Sequence, residues 1–254
     1  MHWTTLRSGQ LVMEKPTPKP LQALITIAFA LVASPAQAAE LGTNKQCYQA
    51  ASPDGTDRPV SGEPVTYTGG PFRPFSTVDV ALDGIRAGSR PVFATGIVAG
   101  RLTAPDTGGA AQRPFTLTVT DPENPALTAT ATRLASEFNV TVQPGGGAAA
   151  ATRRRINARG FTNGGTLYAH VVRGRSKRNL RIGRLTGACG DLRVKRRLFA
   201  GGARRGTYRV QFDTSRRYSG RTVPRVTFRV RISRVFAPRS GAAAGRGEEW
   251  TRVS

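Results

Sequence analysis

The chain has 254 residues, with 38 Lys and Arg against 15 Asp and Glu, for a formal net charge of +23. Two cysteines and two histidines, one of them at position 2, cannot complete a zinc site alone and leave little material for histidine-dependent catalysis. Hydrophobic residues at 39% allow a lean core, and 29 glycines with 17 prolines point to an all-β chain of short strands.

Residues 1–39 read as a secretory signal peptide. Lys15 and Lys19 precede an apolar run at 21–33, followed by the small-residue site Ala36-Gln-Ala38. The run falls short of the ~20 residues that a membrane span needs. An uncleaved anchor is the alternative reading. No second apolar run follows, so the mature chain is expected to lack a transmembrane segment and to be secreted, extracellular or attached at the cell surface.

Residues 40–135 read as a first β domain. Candidate strands fall at 46–50, 64–68, 77–82, 92–98, 115–120 and 126–132. Turn signals separate them, including Pro53-Asp-Gly55, Asp83-Gly84 and the run from Asp121 to Pro125. This segment carries 8 basic and 9 acidic residues, a net of −1.

Residues 136–239 repeat the plan, with strands expected at 138–142, 154–158, 167–172, 180–182, 192–198, 207–212 and 225–232. The last two are strictly alternating. Tyr208, Val210 and Phe212 oppose Arg209 and Gln211; Val226, Phe228, Val230 and Ile232 oppose Arg225, Thr227, Arg229 and Arg231. Such a period marks strands buried on one face and wet on the other. Here 25 basic residues stand against 3 acidic ones, a net of +22, so nearly all the charge lies in this half. A GC-rich genome would favour arginine over lysine; it does not explain the scarcity of acids. Residues 240–254 lack a pattern and are expected to be a disordered tail.

The halves look like diverged copies. Residues 65–72, Val-Thr-Tyr-Thr-Gly-Gly-Pro-Phe, parallel Ile156-Asn-Ala-Arg-Gly-Phe161, and Phe115-Thr-Leu-Thr-Val-Thr-Asp121 parallels Tyr208-Arg-Val-Gln-Phe-Asp213. The pattern from Gly69 through Phe72-Arg-Pro-Phe-Ser-Thr-Val78 resembles a G-x-G-F-x-P-G-S-x-V-x-V phrase common in bacterial extracellular immunoglobulin-like (Ig-like) modules. Gly206-Thr-Tyr-Arg-Val210 is similar to the penultimate strand of that fold. Gly160-Phe161 matches the first phrase in part, without its proline. The resemblance covers roughly residues 45–235 and implies two tandem Ig-like β-sandwich domains. Modules of this kind serve as spacers, adhesins or wall and carbohydrate contacts, and the resemblance supplies no catalytic residues.

Export implies an oxidising compartment, in which Cys47 and Cys189 are expected to pair and clamp the two domains. Spacing alone also permits an intermolecular bridge or free thiols. His170 is expected on a strand, facing solvent or a sheet edge. Asp213 would approach it only if their strands are neighbours, and Asp191 with Asp213 is the one carboxylate pair of the basic half. Neither arrangement amounts to a catalytic site, and no metal site or cofactor is expected.

The chemistry with most support is anion binding. In an Ig-type sandwich, Arg209, Arg225, Arg229 and Arg231 share one outer sheet face, which Tyr168 and His170 would join. Arginine forks bind carboxylate, sulfate and phosphate bidentately. The expected partner of this secreted, non-catalytic protein is an anionic cell-wall polymer or acidic glycan. Arg153-Arg-Arg155 and Lys195-Arg-Arg197 would add non-specific nucleic-acid binding at low salt. The alternatives are a surface spacer with incidental charge, or an enzyme or accessory module acting on surface glycans through Tyr168, His170, Asp191 and Asp213.

Overall fold

A computed structural model describes residues 3–5, 11–13, 38–51, 62–144, 151–200, 203–234 and 246–253. The chain divides into two units, Met1–Ala36 and Gln37–Ser254. The first holds an antiparallel hairpin of β1 (Trp3–Thr5) and β2 (Leu11–Met13). The apolar run 21–33 of the expected signal peptide and the Pro53-Asp-Gly55 turn lie outside the described residues. No helix occurs among the described residues, and none is long and apolar enough to cross a membrane.

The second unit is all-β. Its first half runs β3 (Glu40–Thr43), β4 (Cys47–Gln49), β5 (Pro64–Gly70), β6 (Thr77–Leu82), β7 (Ile85–Pro91), β8 (Val98–Thr103), β9 (Gln112–Asp121) and β10 (Asn124–Ser136). These form two sheets, β3-β5-β8 and β4-β10-β9-β6-β7, with β4 parallel to β10 and the other pairs antiparallel. Alternation drives the assembly. In β5 the buried positions are Val65, Tyr67 and Gly69, and in β9 they are Phe115, Leu117, Val119 and Asp121. These apolar faces meet in a core with Val78, Val80, Val98 and Ala129. Each fully buried Val, Leu or Phe contributes about 1.5–3 kcal/mol relative to exposure.

The second half repeats this order. It runs β11 (Asn139–Gln143), β12 (Arg153–Arg159), β13 (Thr166–Arg173), β14 (Ser176–Arg184), β15 (Leu192–Arg197), β16 (Gly206–Asp213), β17 (Val226–Arg234) and β18 (Arg246–Val253). The sheets are β11-β12-β15 and β14-β13-β16-β17-β18. One core lies between them, drawing Val140, Ile156 and Leu198 from one side and Leu167, Ala169, Val210, Phe212, Phe228 and Val230 from the other. The inward faces of β16 and β17 are those read from the sequence, and Phe212 meets Phe228 edge-on at 5.9 Å.

Two expectations need correction. Residues 92–97 are not a strand; a loop closed by Phe93 N–H to Ile97 O separates β7 from β8, which starts at Val98. Ile85–Pro91 is a sheet edge with no buried position, so it carries no apolar alternation to read. The stretch 240–254 is not wholly without structure, because Arg246–Val253 forms β18 along β17.

The two halves are joined by a disulfide and a set of side-chain hydrogen bonds. Cys47 and Cys189 form a disulfide, with their Cα atoms 5.2 Å apart. Around it, Thr162 Oγ1 donates to Glu63 Oε2 at 2.7 Å and Gln112 Nε2 donates to Asp191 Oδ2 at 2.9 Å. Lys45 Nζ reaches both Glu63 and Asn163. Gly190 has a positive φ of 65°, and a Cβ there would lie 2.0 Å from the Phe161 carbonyl oxygen, so the turn beside Cys189 requires glycine.

Candidate anion-binding face

Strand register decides which side chains share a face. On the five-stranded sheet of the second half, Arg209 pairs with Arg229, Thr207 with Arg231 and Gln211 with Thr227. Across β13 and β16, Tyr168 pairs with Asp213, His170 with Gln211 and Val172 with Arg209. Cross-strand partners point the same way, so all of these belong to the face turned away from the core. Arg209, Arg229 and Arg231 are exposed on it. Arg225 is exposed in the loop before β17, where its Nη1 donates to the Thr222 carbonyl at 2.9 Å. On β18, Glu249 stands in register with Arg231.

The centre of this face is closed. His170, Gln211 and Asp213 are at 0–1% exposure although they point away from the core. The connection between β16 and β17 folds back over them. Its Tyr218 ring meets His170 edge-on at 5.9 Å, and Gln211 Nε2 donates to the Ser219 carbonyl at 2.8 Å. Beneath, His170 Nε2 lies 3.1 Å from Asp213 Oδ1 and His170 Nδ1 lies 2.7 Å from Asn179 Oδ1. Asp213 also accepts from Gln211 Nε2 at 2.6 Å and from the Ser215 N–H at 2.7 Å. His170 is therefore not available to a ligand, contrary to the expectation that it would join the exposed face. Tyr168, half-buried, stacks beside it at 6.4 Å.

Next to Tyr218 the face opens into a depression of about 400 Å³ lined by Val172, Lys177, Thr207, Arg209, Tyr218 and Arg229, among others. Its ionisable lining is cationic apart from the tyrosines. Lys177 Nζ sits 5.3 Å from the centre of the Tyr218 ring, and Arg209 Nη1 lies 3.5 Å from Tyr218 Oη. A cation over an aromatic face is attracted by the ring quadrupole. The arrangement can accept a carboxylate, sulfate or phosphate at Arg209 and Arg229 and pack a ring against Tyr218.

Of the residues singled out by sequence, Arg209 and Arg229 border the depression and Arg231 continues the row. Tyr168 and Arg225 lie toward the other end, beyond the closed centre. Lys177 and Tyr218 were missed. Arg181 is in register with Tyr168 and so lies on this face as well. A signal existed for Tyr218, the one aromatic in the connection between β16 and β17. The basic triplets differ at their centres, because Arg154 is buried while Arg196 is exposed. Arg154 Nη1 bonds the Pro144 carbonyl, and Arg196 Nε donates to the Ile182 carbonyl at 3.1 Å.

Asp191 and Asp213 are not paired, since the first bonds Gln112 at the junction and the second lies with His170. Among the described residues, no three His, Cys, Asp or Glu side chains come together to hold a metal ion. No protein-family model matches the chain, and no curated protein is similar enough to count as a relative.

Proposed function

We propose that this is an exported, non-catalytic protein of two tandem Ig-like β-sandwich domains, bounded near residues 40–135 and 136–239. Its basic second domain docks onto an anionic polymer of the cell envelope or extracellular space. The strand division supports the fold reading. Sheets β3-β5-β8 and β6-β9-β10, with β7 beyond β6, match the A-B-E and C-F-G grouping of an Ig sandwich, and β11 to β17 repeat it. The observation that carries the docking reading is the depression where Lys177, Arg209 and Arg229 surround Tyr218 with no carboxylate in the lining. The sealed state of His170 and Asp213 favours binding over catalysis, because a general base must reach its substrate.

The direct experiment is retention of the full chain on an immobilised acidic polysaccharide, with R209E/R229E as the comparison. Weaker retention of the variant, with elution at lower salt, is expected; unchanged retention rejects the reading. A second reading, a spacer with incidental charge, draws on the junction, where one disulfide and the Glu63 contacts join the halves. In that case R209E/R229E leaves localisation unchanged.

A further inference from the structure

The second half carries another cationic face, opposite the one with the depression. The outward positions of β11, β12 and β15 are Asn139, Thr141 and Gln143, then Arg153, Arg155, Asn157 and Arg159, then Arg193, Lys195 and Arg197. None is acidic and none is aromatic. Register places Arg153 across from Arg197 and Arg155 across from Lys195, with Arg193 across from Asn157. Arg153, Arg155, Arg193, Lys195 and Arg197 are all exposed. Among the described residues, none of the five has an ion-pair partner within the chain.

Two physical facts give this ladder a direction. Like charges directly opposite on a sheet are destabilising, and here two such pairs stand side by side with no ion pair to offset them among the described residues. Arg193, Lys195 and Arg197 on β15, and Arg153 with Arg155 on β12, recur every second residue, roughly 6.6 Å apart. An array of this spacing suits a linear chain that bears anions at regular intervals. With no aromatic at any outward position, the face has no platform on which bases could stack, and stacking supplies much of single-stranded nucleic-acid binding. An acidic polysaccharide asks only for charge and hydrogen bonds, both of which arginine supplies.

The core of the second half separates the two cationic faces, so one extended polymer strand cannot lie along both. We infer that the second half is bivalent and bridges two strands of a linear acidic polysaccharide, one on the β11-β12-β15 face and one at the Lys177–Arg209–Arg229 depression. This rests on the docking reading and adds a second, independent site to it. The consequence is cross-linking, since each chain joins two polymer strands.

The test uses the full chain, a short galacturonate oligomer for stoichiometry and long polygalacturonate for light scattering, at low salt. Titration calorimetry is expected to give two oligomers per wild-type chain. One is expected for R155E/K195E/R197E, one for R209E/R229E and none for the combination. Scattering from the long polymer should rise with wild-type protein and stay flat with either face variant, although both still bind. The neutral variant R155Q/K195Q/R197Q, checked by circular dichroism, repeats the measurement should the charge reversal misfold. A single site in the wild type, abolished by R209E/R229E alone, overturns bridging and leaves docking standing. No binding at all overturns both. Tighter binding of a single-stranded DNA oligomer of equal charge to the β11-β12-β15 face overturns the choice of polysaccharide.

Discussion

His170 Nε2 lies 3.1 Å from Asp213 Oδ1, and neither side chain reaches solvent, although both stand on the outward face of their sheet. Tyr218 covers them. Replacing Tyr218 with Ala should therefore open the imidazole to water. Peptide mapping after treatment with an imidazole-acylating reagent checks this. His170 in the native chain should resist modification, and in Tyr218→Ala it should react.

The same burial predicts a stability cost without a binding cost. Asp213→Ala leaves His170 and Gln211 facing an absent acceptor, and stranded buried groups of this kind cost about 1–3 kcal/mol each. Denaturant unfolding should register the loss. Retention on an acidic polysaccharide should stay near wild type, because the depression is built from other side chains.

Breaking the Cys47–Cys189 bridge tests the junction. The bridge closes a loop of 142 residues, and chain-entropy reasoning puts its contribution at about 5 kcal/mol as an upper figure. C47S/C189S should unfold at lower denaturant concentration than the oxidised wild type. Reducing the wild type should have the same effect.

Glu63 gives the junction a dependence on acid. Burial pushes its carboxyl up, but hydrogen bonds from Lys45, Thr162 and the Gln49 N–H outweigh this and hold it below its ordinary value. A carboxyl with a depressed folded value contributes stability that is complete above its unfolded value, near 4.5, and that is lost as pH falls through the folded one. Unfolding curves at neutral and strongly acidic pH should diverge less for Glu63→Gln than for wild type.

Much of the scaffold could be read from alternation. Val210 and Phe212, with Val226, Phe228 and Val230, sit where their period placed them, because one face of each strand is buried and the other is not. β7 and β18 escaped because each is a sheet edge, where packing places little demand on side-chain pattern. Residues 92–98 misled for the opposite reason. Val92 and Val98 are buried, but Phe93 and Ile97 between them are exposed apolar residues of a loop.

The candidate face was legible in its arginines and illegible in its centre. Pattern places His170 on the outward side of β13, yet only the fold of the β16–β17 connection decides that Tyr218 seals it. Lys177 likewise depends on the β13–β14 pairing, which brings it opposite Val172 and into the depression.

Elution of the full chain from an immobilised acidic polysaccharide in a salt gradient separates a located site from diffuse charge. Arg229→Glu and Arg101→Glu change the net charge equally, the first at the depression and the second on an exposed strand position of the near-neutral half. Arg229→Glu should elute at clearly lower salt, consistent with loss of a charge-assisted contact worth about 1.5 kcal/mol, while Arg101→Glu stays close to wild type. Coincident elution of the two variants would contradict a docking site at the depression.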